Sequence, residues 1–184
     1  MAQPRIVSLL PSATEIAVAL GLGESLVGRS HECDYPLFVK ALPVVTSTRL
    51  EKGLTSRQID DRIQEIVRQG LSVYEVDTAL LRDLRPDLIL TQSQCAVCAV
   101  TPADLEEALG DWIGTAPTLL SLAPDTLEDV WSDFAKVAEA AGIPERASSV
   151  VGDLKERMSG LSRSSAERMD RPRVAAIEWI DPLM

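Results

Sequence analysis

The chain has 184 residues, 46% of them hydrophobic and 25% charged, enough for one substantial core in one or two domains. With 28 acidic residues against 18 basic ones and a net charge of -10, no Lys/Arg cluster offsets a field that repels a phosphate backbone, which argues against nucleic-acid binding. Three cysteines, an odd number, do not suggest a disulfide framework.

The opening stretch, MAQPRIVSLLPSATEIAVALGLG, is apolar but interrupted by Pro11, Ser12, Thr14 and Glu15, and its first residues carry a single arginine, Arg5. As written it is not a signal peptide, so the expected location is the cytoplasm. No run approaches the roughly 18 apolar residues that span a bilayer, and no direct membrane insertion is expected.

Residues 6–10 form a short apolar run suited to a buried parallel strand. Ser12 with Glu15 has capping-box spacing, predicting a helix that stops at Gly21. Residues 26–30 read as a second strand and 43–46 as a shorter third. From Arg57 to Gln69, Ile59, Ile63, Ile66 and Val67 recur at helical spacing, with Gly70 as the stop. A short helix is predicted from about Asp77 to before Pro86, then a strand over 88–91. Thr101, Pro102 and Asp104 predict another helix start, residues 119–122 a strand, and Asp125 with Glu128 a helix carrying Val130, Phe134, Val137, Ala138 and Ala141. Strands alternating with helices argue for an α/β fold with an open, mainly parallel sheet flanked by helices.

The last third changes character. After Pro144, the positions Ala147, Val151, Leu154, Met158 and Leu161 repeat at steps of four and three. They predict one helix to about Met169, about 39 Å long at 1.5 Å per residue, whose far half is polar nearly all round. Residues 173–180 read as a further strand with nothing after it. Its edge and the apolar helix stripe offer a route to self-association.

Two short stretches carry the chemistry. SHECDYP holds His31, the only histidine, beside Cys33; QSQCAVCAV holds Cys95 and Cys98. Together they make a possible tetrahedral set for zinc or iron. Set against this, free cysteines often pack as small buried hydrophobes. A redox pair needs its thiol at a helix N-terminus, whereas Cys95 and Cys98 precede the Thr101 cap. A cytoplasmic metal or thiol-redox protein using His31, Cys33, Cys95 and Cys98 therefore stays open as an alternative. Gly21, Gly23 and Gly28 follow a helix at the wrong spacing for a dinucleotide fingerprint. No nucleophile elbow or Ser/His/Asp order is present, and the chain does not read as an enzyme.

RIVSLLPSATEIAVALGLGESLVGRSHECDYP, LRPDLILTQSQCAVCAV and RPRVAAIEWIDP together resemble the substrate-binding proteins of ABC importers, in the cobalamin-binding group related to siderophore- and haem-binding proteins. The resemblance implies two α/β lobes joined by a rigid helix: residues 1–142 as the first lobe, 143–170 as the connecting helix, and 171–184 as the first strand of a truncated second lobe. It implies a non-catalytic protein with no required cofactor. The expected ligand is cobalamin or another corrinoid, with haem or an iron-siderophore as the alternative. An importer permease is the expected partner, and a periplasmic or cell-surface location is implied.

In open α/β sheets, ligands sit outside the carboxyl ends of the strands. The loops leaving those ends carry Pro11, Ser12 and Ala13, then His31, Glu32, Cys33, Asp34 and Tyr35, then Gln92, Gln94, Cys95 and Cys98. Glu178 and Trp179 are expected to face them from the second lobe. Tyr35 and Tyr74 have aromatic faces suited to a macrocycle. The resemblance also implies permease docking through an acidic residue on each lobe. The position that usually carries the first of these is Ala79, leaving Glu75 and Asp77 as the nearby acids, although Asp77 is also a good helix cap.

Overall fold

The structure, a computed structural model, describes residues 3–69, 71–93, 100–110, 112, 114–166 and 172–184, without the side chains of residues 104 and 106–108. Four parallel strands, β1 (Ile6–Ser8), β2 (Leu26–Arg29), β5 (Leu88–Gln92) and β6 (Thr118–Leu122), form a sheet in the order β2-β1-β5-β6. A separate antiparallel ribbon pairs β3 (Thr46–Thr48) with β4 (Tyr74–Val76). The helices are α1 (Pro11–Ala19), α2 (Ser56–Arg68), α3 (Thr78–Leu84), α4 (Pro102–Gly110), α5 (Leu127–Ala140) and α6 (Glu145–Ala166).

Side chains alternate across the sheet, as strand geometry requires. Ile6, Leu26, Leu88, Leu90 and Leu122 pack with Ala13, Ile16, Phe134, Val137 and Ala147, so α1, α5 and α6 cover one face. Val7, Leu9 and Ile89 pack with Leu81, Leu105 and Val45, so α3 and α4 cover the other. Burial on both faces explains why the strands read as unbroken apolar runs. The mainly parallel α/β sheet and the long helix expected from the sequence are present.

Several local expectations are corrected. α1 starts at Pro11 after Leu10, with no side-chain cap bond, so the Ser12–Glu15 box does not form. Proline at the first position already fixes φ and carries no N–H needing a partner. The box of α5 lies one residue later than expected: Thr126 Oγ1 accepts from Asp129 N, and Asp129 Oδ2 accepts from Thr126 N at 2.8 Å. Residues 43–45 run alongside the end of β2, with Arg29 bridged in parallel to Val44, but the chain then leaves the sheet and pairs as β3 with β4. That ribbon was not anticipated.

α6 follows Pro144 as expected and packs on α5 through Ala147, Val150, Val151 and Leu154. Beyond Leu154 its described residues are almost all exposed. Its expected end at Met169 lies outside the described residues.

The strand expected over 173–180 is absent: residues 172–184 contain none. A parallel strand needs neighbours for its N–H and C=O groups. Here Glu178 N donates to Met184 O at 3.0 Å and Met184 N donates to Trp179 O at 3.1 Å, closing a local turn. The strand edge on which self-association was expected is therefore not formed.

Candidate ligand-binding rim

The sheet order reverses between β1 and β5. From β1 the chain passes through α1 on one face to β2; from β5 it passes through α4 on the opposite face to β6. The carboxyl ends of the strands at such a switch point are the usual place for a ligand in open α/β sheets. The rim is built from the start of α1, residues 30–35 after β2, Gln92 at the end of β5, and the β3–β4 ribbon.

Residues 30–35 are fixed from beneath. Ser30 N donates to Ser8 O at 2.8 Å, and Cys33 N donates to Ser30 O at 3.1 Å. Arg29 Nη1 donates to the carbonyls of Ser30 and Cys33, both at 3.0 Å, and its Nη2 donates to Lys40 O at 3.2 Å. An arginine ending an apolar strand was the sequence signal for this anchor. Its specific task, holding three loop carbonyls, required the folded chain.

The ribbon supports the same loop from the side. Thr46 Oγ1 accepts from His31 N at 3.0 Å, lies 2.8 Å from His31 Nδ1, and donates to Ser30 Oγ at 3.0 Å. The His31 and Tyr74 rings are 5.5 Å apart and tilted by 48°. Tyr74 Oη donates to Glu32 Oε1 at 3.1 Å. Burial, then the Glu32 carboxylate, pushes the Tyr74 phenol above its ordinary range, so it stays a neutral donor. Thr46, Ser30, Ser8 and Thr14 were not expected as site-forming residues. They are all buried hydroxyls, recognisable only from their partners.

The expected wall residues divide by depth. Pro11 and His31 are half-buried, while Ser12, Glu32, Asp34 and Tyr35 are exposed. Ala13 and Cys33 belong beneath the wall, because both are 0% exposed. The Cys33 sulfur is 3.1 Å from Thr14 Oγ1, which also bonds Ser8 Oγ at 2.8 Å. Burial raises the Cys33 thiol above its ordinary value, although the Thr14 and Ser30 bonds and the Arg29 charge act the other way. A buried neutral thiol is a poor metal ligand or nucleophile. Among the described residues no group of three or more His, Cys, Asp or Glu side chains is placed to hold a metal.

Gln92 is half-buried at the end of β5. Gln94, Cys95 and Cys98 lie outside the described residues. On either side of that stretch the chain is anchored: the buried Thr91 hydroxyl donates to Val100 O, and Ser93 N donates to Leu122 O at 3.3 Å.

Glu178 is exposed and Trp179 half-buried. The described side-chain bonds of their segment run from Trp179 Nε1 to Asp181 O, 3.0 Å, and from Arg57 Nη2 to Asp181 Oδ1, 2.6 Å. These contacts tie it to the start of α2 and do not bring Glu178 and Trp179 onto residues 30–35. Glu75 and Asp77 are exposed but engaged. Glu75 pairs with Arg49 at 3.2 Å, and Asp77 caps α3 by accepting from Leu80 N at 2.9 Å. Ala79 is exposed beside them.

The fold and rim form an open α/β sheet with a switch point between β1 and β5. No family model matches the chain. Curated relatives do: it is 26% identical over 168 residues to the vitamin B12-binding protein of Photorhabdus laumondii, covering 91% of this chain and 49% of that one. It is 30% identical over 160 residues to the vitamin B12-binding protein of Yersinia pestis, covering 87% and 45%. The chain thus spans about half the length of the curated relatives it matches.

Among solved structures, the periplasmic vitamin B12-binding protein BtuF of Vibrio cholerae superposes with a TM-score of 0.61 at 23% identity, covering 90% of this chain and 52% of that one. The periplasmic haem-binding protein RhuT of Roseiflexus matches with a TM-score of 0.61 at 24% identity, covering 93% and 53%. At these identities the structural likeness establishes the fold. Together, relatives and neighbours bear out the resemblance to the substrate-binding proteins of ABC importers. These two curated relatives carry the name vitamin B12-binding protein.

Proposed function

We propose that the chain forms one wall of the ligand cleft of an importer substrate-binding protein, and that the ligand is a corrinoid, cobalamin first. The observation that carries this reading is a coincidence: a switch-point rim with a fixed aromatic and imidazole surface, in a chain whose sequence relatives are vitamin B12-binding proteins. Haem- and siderophore-binding neighbours share the fold, so haem and iron-siderophores are the alternative ligands.

On this reading residues 1–142 are the first lobe, 143–170 the connecting helix and 171–184 the entry to the second lobe. Pro11, Ser12, His31, Glu32, Asp34, Tyr35, Tyr74, Gln92 and Gln94 line the first wall, with Cys95 and Cys98 in the same loop and Ala13 and Cys33 supporting from below. Glu178 and Trp179 belong to the opposite wall. Tyr35, 62% exposed, offers an aromatic face to a flat ligand. Capture is non-catalytic, and delivery is to a membrane permease in the periplasm or at the cell surface, with Glu75 or Asp77 as the docking acid on this lobe.

The test is titration of the protein with cyanocobalamin, followed by calorimetry and by absorbance. The expected result is weak, saturable binding, because an open wall buries only one side of a ligand. Absence of both heat and spectral change, with cyanocobalamin and with haemin alike, overturns the reading.

A further inference from the structure

We propose that Nε2 of His31 is an axial ligand to the metal of a planar tetrapyrrole, a corrinoid cobalt or a haem iron, seated on the rim. This rests on the ligand class proposed above and adds the atom that would grip it.

His31 is the only histidine in the chain, half-buried just past the carboxyl end of β2. Two bonds to one oxygen fix it: its backbone N–H and its ring Nδ1 both meet Thr46 Oγ1, at 3.0 and 2.8 Å. The Thr46 hydroxyl gives its own proton to Ser30 Oγ at 3.0 Å, so its oxygen is left to accept, and Nδ1 carries the ring proton. The neutral tautomer then has its lone pair on Nε2, which has no hydrogen-bond partner among the described residues. The Tyr74 ring packs at 5.5 Å, and Tyr74 is itself held by Glu32, which limits rotation. An imidazole whose far nitrogen donates to a fixed acceptor is the usual arrangement of a metal-bound histidine.

A single protein ligand is sufficient here, because the macrocycle supplies the four equatorial nitrogens. The site therefore requires no cluster of His, Cys, Asp and Glu side chains. Cys33, two residues away, does not compete, since its thiol is fully buried against Thr14. Coordination is a ligand exchange: the Nε2 lone pair forms the bond to the metal, one axial ligand leaves (a water from diaquocobinamide, the axial anion from haemin), and the oxidation state is unchanged. No proton moves when the ring starts neutral.

The probes are diaquocobinamide, whose axial waters are both exchangeable, and haemin, each added separately to the whole chain. A shift of the absorption bands to those of a nitrogen-ligated metal is expected with at least one. Its identity separates corrinoid from haem. In His31→Asn, whose amide can still donate to Thr46, the shift should vanish and affinity should fall at least tenfold. Nitrogen-15 NMR of the unmodified protein guards against a folding defect in the variant: the His31 Nε2 resonance should move on adding diaquocobinamide if cobalt is the metal, or be broadened away by haemin if iron is. Probe binding with equal affinity and no histidine-dependent spectral change overturns the axial role while leaving the ligand class standing. So does a shift that survives His31→Asn and disappears in a Cys95→Ser/Cys98→Ser variant. No binding of either probe overturns both.

Discussion

Thr46→Val tests whether the rim is organised by a hydroxyl or merely packed. Valine keeps nearly the same shape, so the change removes one oxygen from a position only 6% exposed. That oxygen serves His31 N at 3.0 Å, His31 Nδ1 at 2.8 Å and Ser30 Oγ at 3.0 Å. A hydrogen bond contributes about 1 kcal/mol net, and a buried polar group left unsatisfied costs about 1–3 kcal/mol. Ser30 is 3% exposed and cannot recover a water easily, whereas the His31 ring is half-buried and partly can. A loss of about 2 kcal/mol follows, which for a chain of this size lowers the thermal midpoint by about 4–8 °C. Urea unfolding of wild type, Thr46→Val and Thr46→Ser measures it. Serine retains the hydroxyl and gives up one methyl, so its loss should be smaller, about 0.8 kcal/mol. Equal stability of Thr46→Val and wild type, or an equal loss in Thr46→Ser, would refute the hydroxyl argument.

A Cβ on Gly28 would lie 2.7 Å from Leu84 Cδ1, 3.2 Å from Val7 Cγ2 and 3.3 Å from Val45 Cγ1. Gly28→Ala should therefore destabilise by about 1–3 kcal/mol through overpacking, read as a lower urea midpoint at an unchanged slope. Burial raises the Cys33 thiol above its ordinary value of 9.0, and burial with the Glu32 charge raises the Tyr74 phenol above 10.0. In both cases the folded state holds the proton longer, so their contribution to stability is complete below those ordinary values and declines as pH rises above them. Urea midpoints should fall as pH rises from about 9 to 11, and Cys33→Ala with Tyr74→Phe should flatten that fall. A slope unaffected by both substitutions would contradict the burial argument.

Much of the architecture was legible because its causes are local. Apolar runs at 6–8, 26–29, 88–92 and 118–122 are what a sheet covered on both faces demands, and Asp77 as cap of α3 followed from side-chain reach alone. Caps were less secure where neighbours compete: Thr126 with Asp129, not Asp125 with Glu128, closes the α5 box, because a one-residue shift leaves the sequence pattern almost unchanged. The run at 173–180 has a strand's composition but pairs with no described neighbour, and composition cannot supply ladder partners.

The same division holds at the rim. Chain order alone places the loops carrying His31, Tyr35 and Gln92 at the carboxyl ends of parallel strands, since it fixes which loops follow which ends. Composition alone sets the acidic charge. It took the folded chain to show that Cys33 lies under the wall and not on it, that Tyr74 reaches Glu32 across 42 positions, and that Thr46 holds both His31 and Ser30. The last two depend on the β3–β4 ribbon, whose pairing joins residues 46–48 to 74–76. Contacts between segments so far apart arise from packing, and no local spacing encodes them.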